Sequence, residues 1–259
     1  MEKPQHQKKN ILFQLVRWLV WLFYPKMKLE GTENLPEGAS IIVGNHSQMN
    51  GPICSELYTP GKHYTWCIGE MMHMKTVPDY SYTDFWWNRK PKWIRWLYRI
   101  LSYLIAPLAV FLFNNADTIA VYKDSRLIQT FRQTLEALKD GARVVIFPEH
   151  YVDYNDLLCD FQRNFVDVAR QYYIKEKVCI PFVPMYLAPE LKTIYFGKPI
   201  YYDPEIPKKE QMDKVCIYLM DSITDMARSL PRHRVVPYRN IPKKYYHYNR
   251  EENSDKSGD

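Results

Sequence analysis

The sequence predicts an α/β fold: a single domain on a mainly parallel sheet flanked by helices, with an amphipathic membrane-associating helix at the N-terminus. Three observations carry that expectation. Short β-branched runs alternate with stretches of helical periodicity, which implies crossover connections between parallel strands. Residues 142–147 (ARVVIF) are almost continuously apolar, as a strand covered on both faces must be. The 259 residues, 46% hydrophobic and 25% charged, are enough to bury a core without disulfide or metal staples.

The elements follow in order. Residues 11–24 (ILFQLVRWLVWLFY) read as a helix interrupted by Gln14 and Arg17 and stopped by Pro25. Residues 1–28 hold six Lys/Arg and one Glu, a net charge of +5 around an apolar face. That pattern suits a helix lying in the headgroup layer of an anionic leaflet, and it equally suits a helix packed on the core. No small-residue cleavage site follows at Tyr24-Pro25-Lys26, which argues against a signal peptide. Residues 86–99 (WWNRKPKWIRWLYR) carry five Lys/Arg, no acid and four tryptophans, a composition that shifts the balance toward an interfacial surface. The uncharged run 100–113 that follows is read as too short to span a bilayer and broken at Pro107.

Strands are expected at residues 39–43 (ASIIV), 118–122, 142–147, 178–187 and 193–196. Helices are expected at 124–139, capped by Asp124 or Ser125 and ended by Gly141, and at 212–230, stopped by Pro231. Leu157, Leu158, Phe161, Phe165, Val168, Ala169 and Tyr172 mark a further helix. Three regions result: a basic anchor at 1–28, an α/β domain at 29–248, and a polar, disordered tail at 249–259.

Composition narrows the partner classes. A net charge of +6 favours an anionic partner without choosing among phosphate, nucleic acid and anionic lipid. Aromatic residues make up 15%, a level common where protein meets lipid headgroups. Stacking on single-stranded nucleic acid would use the same residues, but no RNA-binding or zinc-finger signature accompanies them, so no nucleic-acid partner is expected. The five scattered cysteines read as reduced thiols, not as a disulfide frame or zinc site.

Reactive groups in open α/β sheets gather at the carboxyl ends of strands. Two such ends hold unusual residues: 44–52 (GNHSQMNGP) after IIV, and Phe147-Pro148-Glu149-His150 after VVI. Each histidine alone is more simply structural. Polar clusters at two strand ends raise the case for chemistry, because a buried carboxylate and imidazole cost free energy unless paired or used. A metal set of His46, Glu149, His150 and Asp153 is disfavoured, since adjacent residues on a strand end diverge. No metal and no bound cofactor are expected.

These residues resemble the glycerolipid acyltransferase superfamily of lysophosphatidic-acid and glycerol-3-phosphate acyltransferases. Asn45-His46 followed by Pro52 is similar to its first block, and Val121-Tyr122-Lys123 sits where its second places a basic residue. Phe147-Pro148-Glu149 is similar to its third block, and Phe182-Val183-Pro184 to its fourth. The resemblance covers residues 39–187. It implies acyl transfer from a thioester, acyl-CoA or acyl-carrier protein, to a lipid hydroxyl, on the cytoplasmic face of a membrane as a peripheral or monotopic protein. His46 would be the general base. Lys123 and Arg126 would hold an acceptor phosphate. Glu149 would position the acceptor or the block around it, or only pin neighbouring loop amides. His150 would join a shifted acid–base arrangement or widen the polar wall of the acceptor pocket.

Two positions depart from the pattern. The family's Asp five residues after the histidine is Gly51 here, and the Gly after the third block's Glu is His150. The Asp fixes tautomer and orientation; in serine proteases the loss of that role costs roughly 10⁴ in rate. Asn50 could orient the ring, or a carboxylate could come from Glu56, Glu70, Glu149 or Asp153. The pattern therefore fits an active acyltransferase with a rebuilt dyad, or a member that binds lipid or acyl carrier without catalysis.

Overall fold

The computed structural model of the protein describes residues 10–84 and 90–251. In chain order these form α1 (Ile11–Phe23), β1 (Lys28–Glu30), β2 (Ser40–Gly44), α2 (Asn50–Tyr58), β3 (His63–Ile68), α3 (Val77–Asp84), α4 (Lys92–Asn115), β4 (Thr118–Val121) and α5 (Leu127–Lys139). There follow β5 (Arg143–Ile146), β6 (Glu149–Asp153), β7 (Cys159–Phe161), α6 (Asp167–Glu176), β8 (Pro181–Ala188), β9 (Thr193–Phe196), β10 (Ile200–Tyr201) and α7 (Lys208–Ser229). The α/β class and the mainly parallel pairing are as predicted. The chain divides into two compact units, Met1–Tyr24 with Tyr64–Glu136, and Pro25–His63 with Ala137–Asp259.

The second unit holds the sheet that presents His46. β2 pairs in parallel with β5 on one side and β8 on the other, Val43 lying opposite both Ile146 and Pro184. β8 then pairs antiparallel with β9 and β10, and β9 pairs in parallel with β1. Every residue of β2 and of β8 is buried, which is why both read as continuous apolar runs. α7 covers this sheet with a stripe of Val215, Leu219, Met220, Ile223 and Ala227 at helical spacing, all buried. β6 and β7 form a separate two-stranded antiparallel ribbon.

The first unit pairs β3 with β4 in parallel and carries α1, α3, α4 and most of α5. α1 begins at Asn10, whose side chain accepts the Leu12 amide, and only Phe13 of the helix is buried. α4 is a continuous 24-residue helix with Pro107 inside it. The sequence reading that broke this segment at Pro107 and made it too short to span is corrected. Proline removes one donor, that to the Tyr103 carbonyl, without ending the helix. By length and composition α4 is apolar enough to cross a membrane, and only 11% of its most apolar stretch is buried. α1 touches α4. Leu15, Trp18 and Leu22 of α1 and Trp93, Trp96, Ile100 and Leu104 of α4 are all exposed.

Other boundaries move as well. The helix read from Leu157 begins only at Asp167; residues before it form β7 and a 3-10 turn, Arg163–Val166. Leu157, Leu158, Phe161 and Phe165 are buried there because hairpin and turn both face the core, so a helix-like spacing arose from two other elements. Lys28, placed in the anchor, opens β1 opposite Thr193. Asn249, placed in the tail, is buried and donates to the Ala227, Leu230 and Pro231 carbonyls while accepting the His233 amide. Residues 1–9, 85–89 and 252–259, with part of the tryptophan-rich segment and most of the tail, lie outside the described residues.

Candidate active site

β2 ends where its backbone packs closely on neighbours: a Cβ on Gly44 would stand 2.6 Å from the Met185 side chain. The next residue, Asn45, is buried and extends the pairing with its side chain. Its Oδ1 accepts the Leu187 amide at 2.7 Å and its Nδ2 donates to the Leu187 carbonyl at 3.1 Å. An amide side chain does here what a strand backbone would do, so Asn45 fixes the direction in which the chain leaves the sheet.

His46 follows. Its backbone amide donates to Glu149 Oε1 at 2.6 Å, and the other oxygen of Glu149 accepts the Cys159 amide at 3.1 Å. This pins the loop after β2 to the strand that follows β5, joining two segments that the sequence singled out separately. Of the roles expected for Glu149, the geometry is that of pinning loop amides: it is buried and both its oxygens are engaged with backbone amides. Burial pushes its carboxyl up to about 7, and the two amide donors oppose that only in part.

The imidazole of His46 stands between two aromatic rings. Phe147 lies edge-on at 5.5 Å between centroids, and Tyr238 lies edge-on at 5.5 Å. Its Nδ1 is buried and makes no hydrogen bond among the described residues. Asn50, the expected orienting residue, turns its Nδ2 to the Ser47 carbonyl at 2.9 Å and closes the loop instead. Of the carboxylates considered, Glu149 serves backbone amides and Asp153 pairs with Arg239 at 3.0 Å, while Glu70 belongs to the other unit. Burial lowers the His46 pKa below the ordinary histidine value, against a smaller opposing contribution from the Gln48 backbone. The ring is therefore neutral near pH 7, the form a base requires.

Gly51 has a physical reason. Its amide donates to the His46 carbonyl at 3.0 Å, and a Cβ there would stand 2.3 Å from that oxygen and 3.0 Å from Phe147. No side chain fits, so a carboxylate at this position is excluded by the loop's own geometry. Pro52 occupies the first turn of α2, where its missing donor is not needed. Pro148 accepts the Gln162 amide at 2.9 Å, and Pro184 in β8 accepts the Gly197 amide at 2.8 Å.

The remaining expected residues lie elsewhere. His150 turns its Nε2 to Asp160 at 3.3 Å, and Asp160 also binds Arg163. His150 therefore engages Asp160 across the β6–β7 ribbon. Lys123 and Arg126 belong to the first unit. Lys123 is exposed. Arg126 binds both oxygens of Asp124, at 3.0 and 2.7 Å, and lies 3.9 Å over the Tyr122 ring. That pairing holds the Asp124 carboxyl at about 2.

Sequence reasoning missed the C-terminal segment. Ser47 Oγ donates to the Val236 carbonyl at 3.3 Å, Gln48 Nε2 to the Arg239 carbonyl at 3.0 Å, and Gln48 and Tyr246 also bond through their side chains. The clustering of Tyr238, Tyr245, Tyr246 and Tyr248 in a stretch with no helical or strand period was the available signal.

No protein-family model matches the chain, and no curated protein matches it significantly. Among solved structures, the chain is similar to the 1-acyl-sn-glycerophosphate (LPA) acyltransferase PlsC from Thermotoga maritima, with 14% sequence identity and a TM-score of 0.44 over 83% of this chain and 80% of that one. A likeness of that extent carries no functional argument.

Proposed function

We propose that the protein is a membrane-associated O-acyltransferase that moves a fatty acyl chain from a thioester, acyl-CoA or acyl-carrier protein, to a hydroxyl of a lysophospholipid or glycerol phosphate. The single observation that carries the reading is the Glu149 bond to the His46 amide, which ties a neutral strand-end histidine to the Phe-Pro-Glu segment. In the proposed reaction His46 Nε2 takes the proton of the acceptor hydroxyl as its oxygen attacks the thioester carbonyl, and the thiolate leaves. The exposed apolar residues of α1 and α4, interleaved with Arg17, Lys92, Arg95 and Arg99, dock on the anionic cytoplasmic leaflet as a monotopic surface.

The second reading, a lipid- or acyl-carrier-binding protein without catalysis, is favoured by one observation: among the described residues no carboxylate meets Nδ1 of His46 to stabilise an imidazolium. A panel of acyl-CoA and acyl-carrier-protein donors against lysolipids and glycerol 3-phosphate separates the two. Thiol release with a new acylated product supports the first reading and names the acceptor. Vesicle binding without turnover on any pair supports the second.

A further inference from the structure

The ring of His46 makes no hydrogen bond at Nδ1 among the described residues, yet it stands in a defined orientation. One neighbour, Phe147, comes from the strand end that also carries Glu149. The other, Tyr238, comes from the far end of the chain and is built into place. Tyr151 of β6 packs on it at 5.1 Å between centroids. The adjacent Arg239 pairs with Asp153 at 3.0 Å and donates to the Tyr151 carbonyl at 3.0 Å. Val236 and Arg239 also accept from Ser47 and Gln48 through their carbonyls, so the segment that brings Tyr238 is fastened to the two residues after His46.

Those two residues need fastening. Ser47 and Gln48 have φ of +50° and +56°, consecutive left-handed conformations that non-glycine residues adopt only when surroundings enforce them. Behind the aromatic pair, the segment is anchored at both sides. His233 donates from Nδ1 to the Pro231 carbonyl at 2.7 Å and accepts the Tyr186 hydroxyl at Nε2, also 2.7 Å, while Asn249 holds the His233 amide. Arg232 lies 3.5 Å over the Tyr248 ring.

We propose that Tyr238 is the positioning residue of the His46 imidazole, clamping the ring against Phe147 in place of the carboxylate that Gly51 has no room to supply. The proposal rests on the reading of His46 as the general base. Orientation by packing differs from orientation by a hydrogen bond. Edge-to-face rings fix the plane of the imidazole and leave its tautomer to solvent and substrate, whereas a carboxylate fixes both. The ring of Tyr238 is thus the part that matters, and its hydroxyl is secondary.

The test uses the full chain with Tyr238→Ala, Tyr238→Leu and Tyr238→Phe, all checked by circular dichroism for an unchanged fold. Two readouts are taken: nuclear Overhauser cross-peaks between the labelled His46 ring and the Phe147 ring, with His46→Ala assigning the signal, and the separate kcat and KM for acyl transfer. Tyr238→Ala and Tyr238→Leu are expected to abolish the cross-peaks and lower kcat about 100-fold with little change in KM, and Tyr238→Phe to keep most of both. Should Tyr238→Ala unfold, the leucine variant, which fills the space without a ring, carries the test. Cross-peaks and kcat unchanged in the leucine variant overturn the proposal even if wild-type turnover needs His46. Absence of turnover in wild type, with cross-peaks that vanish when the Tyr238 ring is removed, overturns the base reading and leaves the positioning intact.

Discussion

Glu149 Oε1 accepts the backbone amide of His46 at 2.6 Å, a bond spanning 103 residues of sequence. The carboxylate accepts the Cys159 amide as well, so a single buried side chain sets the end of β2, the start of β6 and the start of β7. Its removal leaves two buried amides without acceptors. Glu149→Ala is expected to destabilise the protein by about 1–3 kcal/mol for each missing acceptor and to abolish acyl transfer. Urea unfolding with parallel turnover measurements checks both.

The same carboxyl makes stability depend on pH. Its pKa is about 7 in the folded protein against an ordinary 4.5, so between those values the folded chain keeps a proton that the unfolded chain releases. The contribution is fully present below about pH 4.5 and is lost as pH rises toward 7. Glu149→Gln cannot ionise. The stability difference between wild type and this variant should therefore shift against wild type across that window and stay level above it, measured by urea titrations at a series of pH values.

Much of the frame behind these bonds was legible from sequence, and the reason is burial on both faces. β2, β5 and β8 have no solvent side, so their apolar runs stand out between Gly and Pro boundaries. His46 and Glu149 were legible because they follow such runs directly. Tyr238 was not, since its segment has no period and reaches the loop after β2 across 189 residues of sequence, as the Ser47–Val236 bond shows. The choice between roles for Glu149 was not legible for a related reason: a sequence identifies a carboxylate at a strand end but not whether its oxygens meet a substrate or backbone amides. Asn249 looked like tail because its four side-chain hydrogen bonds go to backbone groups that no local pattern announces.

Gly51→Asp restores the residue type that an acyltransferase first block carries, yet it should not improve the protein. The new Cβ would stand 2.3 Å from the His46 carbonyl oxygen. The loop must shift, at a cost of about 2 kcal/mol or more, and the Gly51–His46 hydrogen bond breaks with it. Lower melting temperature with lower turnover is the expected outcome. An increase in kcat would show that the loop yields.

Burial holds the His46 pKa below the ordinary value of 6.5. A lowered pKa keeps the imidazole neutral to more acidic pH, so the acid limb of kcat/KM should fall below 6.5. A carboxylate-paired histidine would place that limb above it. A pH–rate profile of kcat/KM decides the direction.

Trp18 and Leu22 of α1 are exposed. Changing both to Ser should leave unfolding stability unaltered and weaken binding to anionic vesicles about tenfold or more, read by co-sedimentation. Equal partition of wild type and variant would remove α1 from the membrane-facing surface.

The central claim is that His46 is the base of an acyl transfer. Its most direct measurement is the transfer of a labelled acyl chain from acyl-CoA to a lysophospholipid, comparing wild type with His46→Ala. Loss of about 10⁴ in kcat with vesicle binding unchanged is the result the account predicts. Transfer at the wild-type rate by His46→Ala would contradict it.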